Sequence, residues 1–172
     1  MKFFEIFNLK PDFDIDVSLL SQKYRDLQRA FHPDQYASGS ESEKLLALKK
    51  ATEINDAYTT LKSPVSRAEY ILKENGLDIS HETTTIKDPS FLMQQMEYRE
   101  HLEEISDMTE PYDAIIEFED TLSAEQVELQ EKISRDLRNA HHQEAASALR
   151  KLKFIVKLQA ELERLEDQSG QL

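Results

Sequence analysis

Residues 24–34, YRDLQRAFHPD, decide how the rest of the chain is read. Here a helix with a basic edge runs into His32-Pro33-Asp34. Proline has no backbone N–H and disfavours helical geometry at the residue before it, so the helix ends near Phe31 and His32 sits at the mouth of a loop. Working backwards, Asp16 is placed to cap a helix whose apolar stripe is Val17, Leu20, Tyr24, Leu27 and Phe31, spaced by threes and fours. Gln22, Arg25 and Arg29 fall on the opposite side, as an ordinary solvated face or as a docking contact. Working forwards, Ser38-Gly39-Ser40 makes a loop, and residues 41–61 resume helical spacing through Ala47, Ala51, Ile54, Tyr58 and Leu61. That second stripe is buried only if its helix lies antiparallel to the first, which predicts a helical hairpin with the tripeptide at its tip.

Short elements flank the hairpin. Residues 3–7, FFEIF, are an apolar start broken by Pro11, and Ser63-Pro64 opens a helix that runs to about Asn75 and stops at Gly76. Residues 77–87, with three consecutive threonines, read as a linker. Asp88-Pro89 repeats the cap-then-proline signature and opens a helix to about Ile105. Residues 109–111 open another, whose Ile115, Leu122, Leu129, Ile133, Leu137 and Ala140 stay in phase. Ser123-Ala124-Glu125-Gln126 is compatible with a capping box, but the persistent phase favours one long helix. After a polar turn at 139–143, a last helix from about Glu144 to Asp167 is expected to bury Ala148, Leu149, Leu152, Ile155, Val156 and Leu162. The expectation is an all-α protein: a hairpin unit over residues 1–76, a linker over 77–87 and a three-helix bundle over 88–172.

Composition agrees. Of 172 residues, only three are glycine and five proline, while 32% are charged, which favours helices over turn-rich sheet structure. There is no cysteine, so the polypeptide alone provides no disulfide, thiolate zinc site or cysteine-ligated cluster, as suits a reducing cytoplasm. The N-terminus lacks an uninterrupted apolar run and a small-residue cleavage site, so neither a signal peptide nor a membrane span is expected. A net charge of −13 argues against a general role on nucleic acid or anionic lipid. The charge is uneven: residues 1–75 hold 11 Lys and Arg against 12 Asp and Glu, whereas residues 76–172 hold 10 against 22. Two units with different partners follow from that asymmetry.

The helix opening at Asp88 carries apolar residues on two faces. Phe91, Tyr98, Leu102 and Ile105 share a narrow arc suited to a core, whereas Leu92, Met93 and Met96 fall on the far side, flanked by Glu97, Glu100, Glu103 and Glu104. On the last helix Phe154 lies opposite Leu152, among Arg150, Lys151 and Lys157. These four apolar residues exceed what one buried stripe requires. Either the helix is buried on two sides, or Leu92, Met93, Met96 and Phe154 form a protein-binding face with Glu97, Glu100 and Glu104 as its acidic rim. Methionine adapts to varied surfaces, and the clustering favours the binding face.

A catalytic reading would make His32 a general base oriented by Asp34, but no nucleophile elbow or glycine-rich phosphate loop accompanies it. His141-His142 lacks the one-turn spacing of helical metal ligands, and His81 and His101 have no ligand partners in the sequence pattern. No enzyme activity, metal or cofactor is expected.

The first unit resembles the J-domain of DnaJ-type co-chaperones. The likeness rests on the helix with Tyr24, Leu27 and Arg29, the His-Pro-Asp loop, and the pattern Asn-x-Ala-Tyr-x-x-Leu at residues 55–61. The whole chain resembles the HscB family, the J-type co-chaperones of bacterial iron–sulfur cluster assembly. Phe4, Leu9, residues 26–29, 37–40, 67–70 (RAEY), 91–93 (FLM) and 150–154 (RKLKF) carry that likeness. The resemblance implies a co-chaperone whose His32, Pro33 and Asp34, with Arg25 and Arg29, contact the DnaK-type ATPase HscA and stimulate it. It implies that Leu92, Met93, Met96, Glu97, Glu100, Glu104 and Phe154 bind the scaffold IscU. Gln35 departs from the lysine or arginine of many J-domains and weakens the positive edge. The cysteine-containing N-terminal segment of eukaryotic members has no counterpart, which points to a bacterial protein without its own metal. The competing expectation is a general J-type co-chaperone delivering unfolded clients to a DnaK-type chaperone. Such a protein would need a broad apolar groove or glycine- and cysteine-rich segments.

Overall fold

A computed structural model describes residues 1–82 and 88–170. Among them every regular element is helical: α1 Lys2–Ile6, α2 Val17–Phe31, α3 Glu41–Lys62, α4 Pro64–Glu74, α5 Pro89–Ser106, α6 Tyr112–Arg138 and α7 His142–Ser169, with a 3₁₀ turn at Pro33–Tyr36. The chain divides into two compact units, Met1–Ile79 and Ser80–Leu172. The expected linker at 77–87 lies partly outside the described residues, since 83–87 are not among them.

In the first unit α2 and α3 form the hairpin. The Asp16 carboxylate accepts from the Leu19 N–H at 3.1 Å and starts α2. At α3 the Ser40 hydroxyl accepts from Glu43 N–H while the Glu43 carboxylate accepts from Ser40 N–H, a reciprocal capping box encoded by residues 40–43, SESE. Ser63 begins α4 without a side-chain cap bond; Ser66 instead donates to the Thr60 carbonyl at 2.6 Å. Leu20, Ile54, Ala57 and Leu61 are buried, whereas Val17, in the first turn of α2, stays 42% exposed. The family-like run at 67–70 has a physical basis. Arg67 is buried, donating from Nε to the Phe13 carbonyl at 2.6 Å and from Nη1 to the Leu61 carbonyl at 2.7 Å. Ala68 is fully buried, and the Tyr70 hydroxyl accepts from Phe3 N–H at 3.0 Å while its ring stacks on Phe3 at 4.7 Å. At the end of α4, Gly76 has φ +88°, with Gly76 N–H bonded to Lys73 and Leu77 N–H to Leu72, the left-handed cap glycine provides most cheaply.

In the second unit Asp88 caps α5 at the Phe91 N–H, and α6 runs unbroken through residues 123–126. Ile105, Ile115, Phe118, Leu122, Ile155, Leu158 and Leu162 make a common core. Three expectations need correction. Ala140 is not an in-phase position of α6: the helix ends at Arg138, and Ala140 is exposed at φ 56° in a left-handed cap closed by bonds from Ala140 to Leu137 and from His141 to Asp136. Val156 is 38% exposed, because Ile155 and Leu158 occupy the buried arc of α7. Phe154 is not surplus to the core. It is half-buried, packs against the core cluster and stands edge-on to Phe91, 5.7 Å away at 87°.

Candidate functional site: two docking surfaces

The hairpin corner is built by local bonds. His32, at φ −62° and ψ 135°, leaves helical geometry and caps the 3₁₀ turn that Pro33 begins. Its Nδ1 accepts from the Asp34 N–H at 3.2 Å. A ring nitrogen that accepts a backbone bond carries no proton, so the neutral imidazole holds its proton on Nε2. The Nδ1 face of His32 is thus engaged by the backbone of Asp34. Its carboxylate, 3.5 Å from Nδ1, has a side chain 90% exposed.

The corner is held by the hairpin behind it. Tyr24 and Tyr58 stack at 4.0 Å and 9°, the Tyr24 hydroxyl donates to Asn55 Oδ1 at 2.7 Å, and Ser21 and Tyr58 hydroxyls lie 3.1 Å apart. Lys50 lies 5.3 Å from the Phe31 ring centroid at the last residue of α2. Each fixed position of the 55–61 pattern thus joins the two helices or fills the space between them. Arg25 and Arg29, one turn apart on α2, are exposed and line an open groove of ≈ 420 Å³ with Gln28, His32 and Gln35. Pro33 and Asp34 are exposed beside it, outside its lining. Gln28 and Gln35 complete the groove; Gln28 falls three residues after Arg25, a spacing that marks the shared face.

The bundle carries the second surface. A groove of ≈ 680 Å³ along α5 and α7 is lined by Leu92, Gln95, Met96, Arg99, Glu100, Glu103 and Phe154. It brings together three of the four apolar residues singled out by the helical wheel, from two helices. Met96 is 64% exposed. Met93 is similarly exposed but lies outside the lining, as do the exposed Glu97 and Glu104. The Glu104 carboxylate is 3.6 Å from His101 Nδ1. Gln95, Arg99 and Glu103 join the groove because they follow the same arc of α5. Elsewhere on α5, outside this groove, Tyr98 and Gln94 both donate to Glu125 of α6, and burial with that carboxylate pushes the Tyr98 hydroxyl well above its ordinary pKa. Among the described residues, no group of three or more His, Cys, Asp or Glu side chains is placed to hold a metal, and no helix is long and apolar enough to cross a membrane.

A helical hairpin tipped by His-Pro-Asp, joined to a separate helical bundle, defines a J-type co-chaperone. Model matches divide the chain likewise: a DnaJ domain over residues 2–70 and an HSCB C-terminal oligomerisation domain over 87–163. The chain is 47% identical over 170 residues to the co-chaperone protein HscB homolog of Shewanella woodyi, covering 97% of this chain and 98% of that protein. Chaperone HscB from Vibrio cholerae superposes with a TM-score of 0.88 at 43% identity, covering 98% of this chain and 99% of that one. Human co-chaperone protein HscB superposes with a TM-score of 0.88 at 31% identity, over 95% of this chain and 81% of that one. The chain belongs to the HscB family of co-chaperones, a family of chaperone partners rather than of enzymes.

Proposed function

We propose that the chain is an adaptor in iron–sulfur cluster assembly that binds the scaffold IscU through the bundle and engages the DnaK-type ATPase HscA through the hairpin corner. The observation that carries this reading is the second groove: an apolar strip of Leu92, Met96 and Phe154 beside Glu100 and Glu103. Such a strip fits a folded partner with an apolar segment edged by Lys or Arg. Met93, Glu97 and Glu104 extend it beyond the groove lining. At the corner, Arg25, Arg29 and Asp34 offer exposed charge beside the exposed His32 and Pro33, on a backbone held by hydrogen bonds. These groups act by contact, and ATP is hydrolysed in the partner.

An adaptor works by effective concentration. Holding scaffold and chaperone on one chain turns their encounter into an intramolecular event. Contact with one conformational state of the ATPase in preference to the other then biases its cycle. The action is expected in the cytoplasm. Steady-state ATP hydrolysis by HscA tests the reading, measured with the chain alone, with IscU alone and with both. Stimulation by both together should exceed the product of the separate effects; a merely additive response would overturn the assignment.

A further inference from the structure

The bundle groove contains a cation among its carboxylates. Arg99 lies on α5 three residues after Met96 and four before Glu103, and its side chain crosses to α7. There its guanidinium is ion-paired with Glu161 and lies 5.5 Å from the centroid of the Phe154 ring. Phe154 stands edge-on to Phe91. Lys151 lies 5.7 Å from the Phe91 centroid and 3.5 Å from the Asp88 carboxylate that caps α5. Two edge-on rings are therefore flanked by a cation at each end along the seam between α5 and α7, and the guanidinium adjoins the ring that walls the groove.

Two physical consequences follow. A guanidinium against a ring restricts the orientations the ring samples, so a partner meeting Phe154 orders less on binding. The second concerns charge. On its own helix Arg99 has Glu103 four residues away, within reach of an ordinary i,i+4 pair. Glu161 is only 22% exposed and competes better than the solvent-facing Glu103, since screening weakens exposed pairs most. With Arg99 drawn to α7, the carboxylates of Glu100 and Glu103 are left to face a partner's cations. Released from Glu161, Arg99 would neutralise one of them.

We infer that Arg99 is a positioning residue of the docking groove: tethered by Glu161, it sets the Phe154 ring and withholds its own charge from the acidic rim, so that the groove selects an apolar segment edged by Lys or Arg. The inference rests on the groove being the scaffold-binding surface.

The test compares the full chain with Arg99→Gln, Glu161→Gln, the double variant and Arg99→Lys. IscU is titrated by calorimetry at low and high salt, and the aromatic NMR resonances of Phe154 are followed in the free proteins. Glu161→Gln should weaken IscU binding by about fivefold and flatten its salt dependence, the size expected for one misplaced charge at an interface rim. Arg99→Gln should weaken binding by about threefold while keeping the salt dependence, since the ring contact is lost but the rim stays acidic. The double variant should match Arg99→Gln, because Glu161 acts only through Arg99. Arg99→Lys should recover part of the affinity, and Phe154 resonances should shift in both single glutamine variants. Unchanged helicity and unchanged IscU-free stimulation of HscA show that the fold is intact. Wild-type affinity and salt dependence in Glu161→Gln, or additive effects in the double variant, would overturn the inference. Failure of the wild-type chain to bind IscU would instead overturn the scaffold reading, and unmoved Phe154 resonances would then overturn the positioning role.

Discussion

Replacing Arg67 by methionine should destabilise the first unit by about 2–4 kcal/mol, the range for removing one member of a buried polar arrangement. Arg67 is 5% exposed, and its guanidinium satisfies the carbonyls of Phe13 and Leu61, both themselves in buried residues. Methionine fills similar space but donates nothing, leaving two buried acceptors at about 1–3 kcal/mol each. It also removes the guanidinium 5.1 Å from the Phe13 ring centroid, a contact of about 0.5–2 kcal/mol. Part of this loss is offset, because burying the charge is itself costly: desolvation pushes the Arg67 pKa down, while Asp14 and Asp12 push it back up. A small unit has about 5–10 kcal/mol of stability, so the change is a large share of the total. The chain has no tryptophan, so urea unfolding is best followed by amide NMR intensities, read separately for residues 2–74 and 89–169. The midpoint should fall for the first set and stay fixed for the second. Arg67→Lys, which keeps the charge but not the planar fork, should lose about half as much. A loss below about 1 kcal/mol in Arg67→Met would refute the reasoning, since it would mean that the two carbonyls find other donors.

Further outcomes are expected. His32→Gln should abolish stimulation of HscA while leaving the IscU dissociation constant unchanged; loss of both in a folded protein would merge the two proposed surfaces into one. Leu92→Ala with Met96→Ala should weaken IscU binding by about 30- to 150-fold in calorimetry, at about 1–1.5 kcal/mol for each truncated groove residue. Ala140→Gly should raise stability by about 0.5–1 kcal/mol in thermal unfolding, because glycine relieves the left-handed backbone at φ 56°. In the acidic patch of α6 and α7, partial burial and then the Glu166 carboxylate hold the Glu119 pKa above its ordinary value. A carboxyl whose pKa is raised by folding contributes less stability as pH climbs from its unfolded value through its folded one. Glu119→Gln should therefore raise the melting temperature at pH 8 and leave it unchanged at pH 4; an equal rise at both would show that charge is not the cause.

Helices and their limits were legible because local chemistry sets them. Proline at 33, 64 and 89, the side-chain caps at Asp16 and Asp88, and glycine at 76 act within a few residues, and alternating threes and fours reveal a buried stripe whatever covers it. The surplus apolar residues of α5 were legible for the same reason: periodicity shows which side chains share an arc. Ala140 was misread because an alanine in a left-handed cap resembles the next turn of a helix until its backbone angles are known. Val156 and Phe154 were misread because a single-helix wheel cannot weight one neighbouring helix against another. The sequence alone therefore determined the order of the helices, the His-Pro-Asp corner and the family resemblance. Tertiary structure decided that Phe154 belongs both to the core and to the groove wall, that Arg67 bonds two distant carbonyls, and that Arg99 reaches Glu161 across to α7. Those are contacts between residues 6 to 63 positions apart, made by side chains whose partners are chosen by packing and not by spacing along the chain.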